Sequence, residues 1–434
     1  MNNKPLMSRE PMQRWIGFQA FLFPFLSLTT PSGIGFSSLL FLLTALCVPR
    51  RAWAALGPHW KQIRWVVAAF WFQFMLAVVA VVLRPEAEFD YLDKPSRMLL
   101  AVSCTALVLL GRPRAATLWW GVVAGSVAAL PFVAWQRIVL EIERPGGFLN
   151  AITFGDLALC LGLVALAAAI DYRHSTGKAL LAGLGAVAGL VACMLTGTRG
   201  SWIALALAAM LFLSYAQLLR SRKVRLLLAG SFALAGAAFF VPATGMQERA
   251  LQGVDDVQTW VDGGNVFTNV GTRLELWKGA AILIEERPLF GRDRNTLRTE
   301  IRHLVEEGRL DPAILSLEHL HNDALQALAT GGIFGLLAWL GILAAPFMFF
   351  ARQLGRGVAA GRPGSRMPQF APALAGMLVV LCFFSFGLTE VIFWSLKGSM
   401  FYALMVFLLM GFCLAAQGAP GDASPNNQVE QDGN

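Results

Sequence analysis

Charge is scarce in this chain: Asp, Glu, Lys and Arg together make up 14% of 434 residues, against about 25% in ordinary soluble proteins. Length alone would suggest roughly three soluble domains at about 150 residues each, but too few charges are present to clothe them. The six cysteines all lie in apolar runs, with no Cys-x-x-Cys pair and no histidine at ligand spacing, so neither a disulfide framework nor a zinc site is indicated. No phosphate-cradling Gly-rich loop is present, which leaves no candidate nucleotide-binding domain. No internal repeat stands out, which disfavours an inverted-repeat transporter. The apolar stretch from Trp15 to Leu28 lacks a small-residue cleavage site and reads as a retained span rather than a leader.

What the chain has is apolar sequence, 56% of it, enough for about twelve spans of ~20 residues. Apolar runs predict spans near 15–29, 33–48, 65–83, 98–111, 115–136, 151–170, 179–196, 201–218, 226–242, 323–350, 370–388 and 391–416. The expectation is an all-α polytopic membrane protein with about twelve transmembrane helices. The formal charge of +8 reflects where the basic residues sit, not a nucleic-acid partner. They crowd into alternate short loops, as in Arg50, Arg51, Lys61 and Arg64, or Arg220, Arg222, Lys223 and Arg225. The positive-inside rule then puts both termini in the cytoplasm. The expected organisation is nine helices over 1–242, a long outer loop over 243–322, three helices over 323–416, and a disordered tail over 417–434 rich in Gly, Asn, Asp and Pro.

An eighty-residue loop is too long for a connector. Thr272 and Glu275 fit a capping box, and Leu274, Trp277, Ala281 and Ile284 recur behind them at helical spacing until Pro288. A second amphipathic helix is expected over 296–307, with Leu297, Ile301 and Leu304 on one face and Gly308 as its stop. Both are read as a lid on the spans. Arg273, at the N-terminus of the first, is placed where free N–H groups and a guanidinium can jointly hold a phosphate.

Other polar groups gather on the same outer side. Arg199, inside Thr196-Gly197-Thr198-Arg199-Gly200-Ser201, is either a snorkelling residue or a functional one. His319 and His321, in Glu318-His319-Leu320-His321-Asn322-Asp323, are two apart and so lack the i,i+4 pattern of a helical metal site. A neutral imidazole there is a candidate general base or a structural cap. Glu390 stands in a brief outer turn, as a candidate or a solvated acid. The run from Arg84 to Lys94 supplies four acids, Glu86, Glu88, Asp90 and Asp93, and reads as salt-bridged loop surface or, through its Glu-x-Glu pair, a divalent-cation site. No metal is assigned. Asp156, within span six, is an unexplained polar residue.

The order of these motifs resembles the O-antigen ligase and polymerase family. The resemblance rests on an arginine after Thr-Gly-Thr, an arginine opening a loop helix, then His321-Asn322-x-x-Leu325-Gln326 with trailing glycines, over about Met194 to Leu337. It implies a GT-C-like membrane glycosyltransferase whose long loop is periplasmic, in a bacterial inner membrane. It further implies a donor glycan on undecaprenyl diphosphate, with lipid A core as acceptor in the ligase branch, and no nucleotide or other cofactor. On that reading His321 is the base and Arg199 and Arg273 hold the diphosphate. Arg84, Asp90, His319, Asn322 and Glu390 are secondary candidates. The polymerase and protein-glycosylating branches are the alternatives within the family, and a lipid-linked sugar flippase is the alternative outside it. The sequence leaves the oligomeric state open.

Overall fold

Within the described residues each of the twelve apolar runs overlaps helix, the run at 98–111 being divided between two. The structure, a computed structural model, describes residues 9–84, 88–198, 200–215, 222–240, 246–360 and 369–417. In chain order the first helices are α1 (Arg9–Thr29), α2 (Gly33–Cys47), α3 (Pro49–Leu56), α4 (Trp60–Leu83), α5 (Asp93–Leu100), α6 (Val102–Gly111) and α7 (Ala115–Ile138). They are followed by α8 (Ala151–Asp171), α9 (Thr176–Leu195), α10 (Trp202–Ser214) and α11 (Arg222–Phe240). The outer loop contributes α12 (Met246–Val261), α13 (Gly271–Glu286) and α14 (Arg294–Glu306). The chain returns through α15 (Asp323–Ala360), α16 (Phe370–Thr389) and α17 (Leu396–Ala415). Among the described residues eight helices are long and apolar enough to cross a membrane, while α2 and α10 are shorter apolar helices. The all-helical polytopic class is therefore shown; the number twelve is not.

Lipid offers no hydrogen bonds, so continuous apolar sequence must satisfy its backbone within a helix. Packing then decides which helices sit at the centre. The apolar stretches of α8, α16 and α17 are 89%, 83% and 94% buried, against 11% for the helix spanning Pro49–Leu83. The first three form the centre and α4 faces outward. Two buried hydroxyls at this centre are paired with carbonyls: Tyr402 of α17 donates to that of Ile342 at 2.6 Å and Thr105 of α6 to that of Phe407 at 2.6 Å. Leaving either hydroxyl unpaired in lipid would cost several kcal/mol on the order of.

Helix α15 is broken at Gly332, where φ is +59°. A Cβ there would lie 2.2 Å from the Leu289 carbonyl carbon, so only glycine lets the loop approach. The loop docks into the break: Ile333 N–H donates to Pro288 O at 2.9 Å and Arg292 N–H to Ala329 O at 2.9 Å. The loop also has its own small core, which includes Leu276, Ala280, Leu283, Leu297, Ile301 and Leu304. Helix α14 keeps the expected buried face, and Gly308 beyond its end has φ +70°.

Two expectations for α13 are overturned. Thr272 is not its cap: Thr268 Oγ1 accepts from Gly271 N–H at 2.9 Å, and the Thr272 hydroxyl donates back to Thr268 O at 2.8 Å. Glu275 does not reach back either, because it is buried and holds Trp260 Nε1 at 2.9 Å and Lys278 at 3.1 Å. The buried stripe is Leu276, Ala280 and Leu283, not Leu274, Trp277, Ala281 and Ile284. The helix packs inward on α14 and on residues 310–320 within the loop, which selects that face.

Candidate active site

The end of the loop and the turn after α16 bring three candidates together. His321 Nδ1 lies 2.9 Å from Glu390 Oε2, and His319 Nε2 lies 3.4 Å from Glu390 Oε1. An ionised carboxylate only accepts, so His321 Nδ1 carries the hydrogen and the Nε2 lone pair is left for other work. The His321 side chain is 15% exposed, so its ring is not sealed in. Its φ of +50° is unfavourable for a residue with a side chain. The strain is held by Asn322, whose Oδ1 caps α15 by accepting from Leu325 N–H at 3.0 Å and whose Nδ2 donates to Leu388 O at 3.1 Å. Asn322 therefore positions the histidine and ties the loop to the end of α16.

Burial alone would raise the carboxyl pKa of Glu390. The hydrogen bond and charge of His321, the charge of His319 and the Val391 N–H outweigh it and hold Glu390 below the ordinary range. Glu390 is thus not a solvated turn acid. Burial lowers the pKa of His319, partly opposed by Glu390, which favours a neutral ring near pH 7.

Glu390 also forms part of the wall of a cavity of about 630 Å³ whose lining includes Arg144, Asp156, Thr198, Gly200 and Arg273. Arg273 is in the first turn of α13 and, among the described residues, has no carboxylate within 4 Å. Burial and the nearby charge of Arg144 lower its pKa, partly offset by Glu390, so an arriving anion would relieve uncompensated positive charge. Arg199 lies outside the described residues. Its neighbours Thr198 and Gly200 line the cavity, and Gly200 is close enough to the turn that a Cβ would sit 1.9 Å from Thr389 Oγ1. Asp156 accepts from Ser201 at 2.5 Å, while its second oxygen is buried without a partner.

The remaining candidates stand apart. Arg84 caps the end of α4 and donates to Thr330 O at 3.1 Å and to Phe290 O, fastening the break in α15. Asp90 is exposed and lines a different cavity of about 280 Å³. Glu86 lies outside the described residues, so the proposed acidic cluster is not seen whole. Arg144 and Arg294 were missed by the sequence reading; a local cue existed only for Arg294, which heads an i,i+4 series of arginines.

His319, His321 and Glu390 offer ligand atoms within 4.8 Å of one another, a donor set that suits zinc or another transition metal. The same distances are those of one imidazole hydrogen-bonded to a carboxylate with a second in ion-pair range of it.

These features define a polytopic membrane protein with a histidine–carboxylate centre beside a cavity lined by charged residues of both signs, Arg144 and Arg273 with Glu143, Asp156 and Glu390. Residues 184–340 match the model of a family described as O-antigen ligase, which bears out the resemblance carried by the motifs. The match includes Arg273, His319, His321 and Asn322 and ends before Glu390. It supports an O-antigen ligase- or polymerase-type function in general terms, that of a membrane glycosyltransferase-like enzyme. A protein of Haemophilus influenzae (strain ATCC 51907 / DSM 11121 / KW20 / Rd), described as uncharacterized, is 22% identical over 294 residues, covering 67% of this chain and 73% of its own length.

Proposed function

We propose that this chain transfers an O-antigen glycan from undecaprenyl diphosphate to a hydroxyl of lipid A core, completing lipopolysaccharide. The carrying observation is the His321–Glu390 pair set against a cavity lined by Arg273. His321 Nε2 takes the proton of the acceptor hydroxyl as that oxygen bonds to the anomeric carbon. The bond from that carbon to the diphosphate oxygen breaks, and undecaprenyl diphosphate leaves with the electron pair. Arg273 and Arg199 stabilise the charge that develops there, with Arg144 close by. A single displacement inverts the anomeric centre. The donor is already activated, so neither nucleotide nor metal is required. In this proposal the protein lies in a bacterial inner membrane, with both termini cytoplasmic and the site facing the periplasm.

The test mixes purified protein, undecaprenyl-diphosphate-linked glycan and lipid A core without nucleotide. Joined product is expected. Glycan lengthening alone would overturn the ligase assignment in favour of polymerisation, and movement of the donor across vesicles without any product would favour a flippase.

A further inference from the structure

Helix α14 carries Arg294, Arg298 and Arg302 at i, i+4 and i+8, which places them on one face. Among the described residues none of the three has a carboxylate within 4 Å. The acids of the same helix are engaged elsewhere: Glu300 lies 3.6 Å from Arg292, and Glu306 lies 3.2 Å from His303. Stacked like charges repel, so an anion bound along this face would relieve the repulsion.

The three arginines share a recess with Glu318, His319 and Trp394. Arg294 is also part of the wall of the 280 Å³ cavity, together with Lys94, Tyr91, Asp90 and Asp323. Its guanidinium lies 3.8 Å over the Trp394 ring and 5.3 Å from that of Tyr91. Aromatic cover on its faces leaves the N–H edge free for an anion. The position is built: Tyr91 donates to Asp293 Oδ1 at 3.0 Å, Asp293 caps α14, and Lys94 props the turn by donating to Phe393 O at 3.0 Å and Trp394 O at 2.6 Å. The wall also has apolar residues, Leu76 and Ala77 from α4 and Ala338 and Trp339 from α15, two helices that can cross a membrane, alongside the polar Gln73, Gln326 and Thr330.

The turn after α16 divides the two cavities. Thr389 and Glu390 face the one lined by Arg273, while Val391, Phe393 and Trp394 face the other. We infer that the second cavity and the arginine face of α14 bind the phosphorylated saccharide head group of a membrane-anchored glycolipid. The head group lies along Arg294, Arg298 and Arg302, and the lipid end rests against α4 and α15. Naming this ligand the acceptor rests on the transfer proposed above; its binding does not.

The experiment measures binding of lipid A core, before and after phosphatase treatment, and of undecaprenyl phosphate to the full-length protein in detergent. The variants are Arg294→Gln/Arg298→Gln/Arg302→Gln and, in case Arg294 is needed for folding, the exposed pair Arg298→Gln/Arg302→Gln. The triple variant is expected to bind phosphorylated lipid A core about tenfold more weakly or worse, and undecaprenyl phosphate as well as wild type does. The pair should show a smaller loss of the same kind, and phosphatase treatment should erase the difference between proteins. Equal binding of phosphorylated lipid A core by wild type and either variant, or a loss that falls on undecaprenyl phosphate instead, overturns the inference. Selective binding as expected but no joined product would leave this site standing and remove the ligase reading.

Discussion

The two ends of α13 present arginines in opposite conditions. Beyond its C-terminal end, shortly before α14, Arg292 is 4% exposed and engaged, donating to Leu283 O at 2.7 Å and to Glu286, with Nε 3.6 Å from Glu300. At the N-terminal end, Arg273 faces a cavity with no carboxylate partner among the described residues. The residues are chemically identical and fewer than twenty positions apart. What separates them is where their guanidinium N–H groups go: Arg292 ties α13 to α14 inside the loop, while Arg273 has no carboxylate partner among the described residues.

The sharpest way to test that contrast is at the reactive side. His321→Ala should reduce transfer by about a hundredfold or more, the usual worth of a positioned base, while donor binding survives. His319→Ala should be milder, and the reverse order of effects would move the base to His319. Arg273→Lys keeps the charge but loses the planar pair of donors, so turnover should fall about a hundredfold, or ~3 kcal/mol, with the melting temperature unchanged. Arg292→Met should do the opposite. Its acidic partners are partly exposed, so the loss is only about 1–2 kcal/mol of stability, with specific activity of the folded protein retained. A stable but inactive Arg292 variant would break the comparison.

Smaller effects come next. Because the folded pKa of Glu390 is held low, its ionised form contributes stability above the ordinary carboxylate value of 4.5. That contribution is lost as pH falls through the lowered folded value. The gap in melting temperature between wild type and Glu390→Gln should therefore be open at neutral pH and shrink below about pH 4.5. The smallest expected effect is none: EDTA should leave transfer intact. Loss on chelation, restored by a transition metal, would make His319, His321 and Glu390 metal ligands.

The spans were legible because lipid demands long uninterrupted apolar runs, and α8, α16 and α17 provide them. The capping role of Asn322 and the face of α14 were within reach of local pattern. The pairing of His321 with Glu390 was not, since 69 residues separate them and only the packing of α15 against α16 closes the gap. Thr272 misled because Thr268, four residues earlier, competes for the same helix end and wins. Arg144 carries no pattern of its own; it becomes notable only when the cavity brings it near Arg273.

Glu390 offers one negative charge to two imidazoles whose centroids are 4.4 Å apart. A first proton makes the trio neutral; a second would make it cationic, and the charge on His321 already disfavours protonation of His319. By charge count alone, one proton can be taken up here without leaving net charge on the trio. The proposed transfer delivers one hydroxyl proton to it per turnover. In that proposal the proton has to pass to water before the next acceptor can be deprotonated, so the partial opening of the His321 ring to solvent becomes part of the cycle.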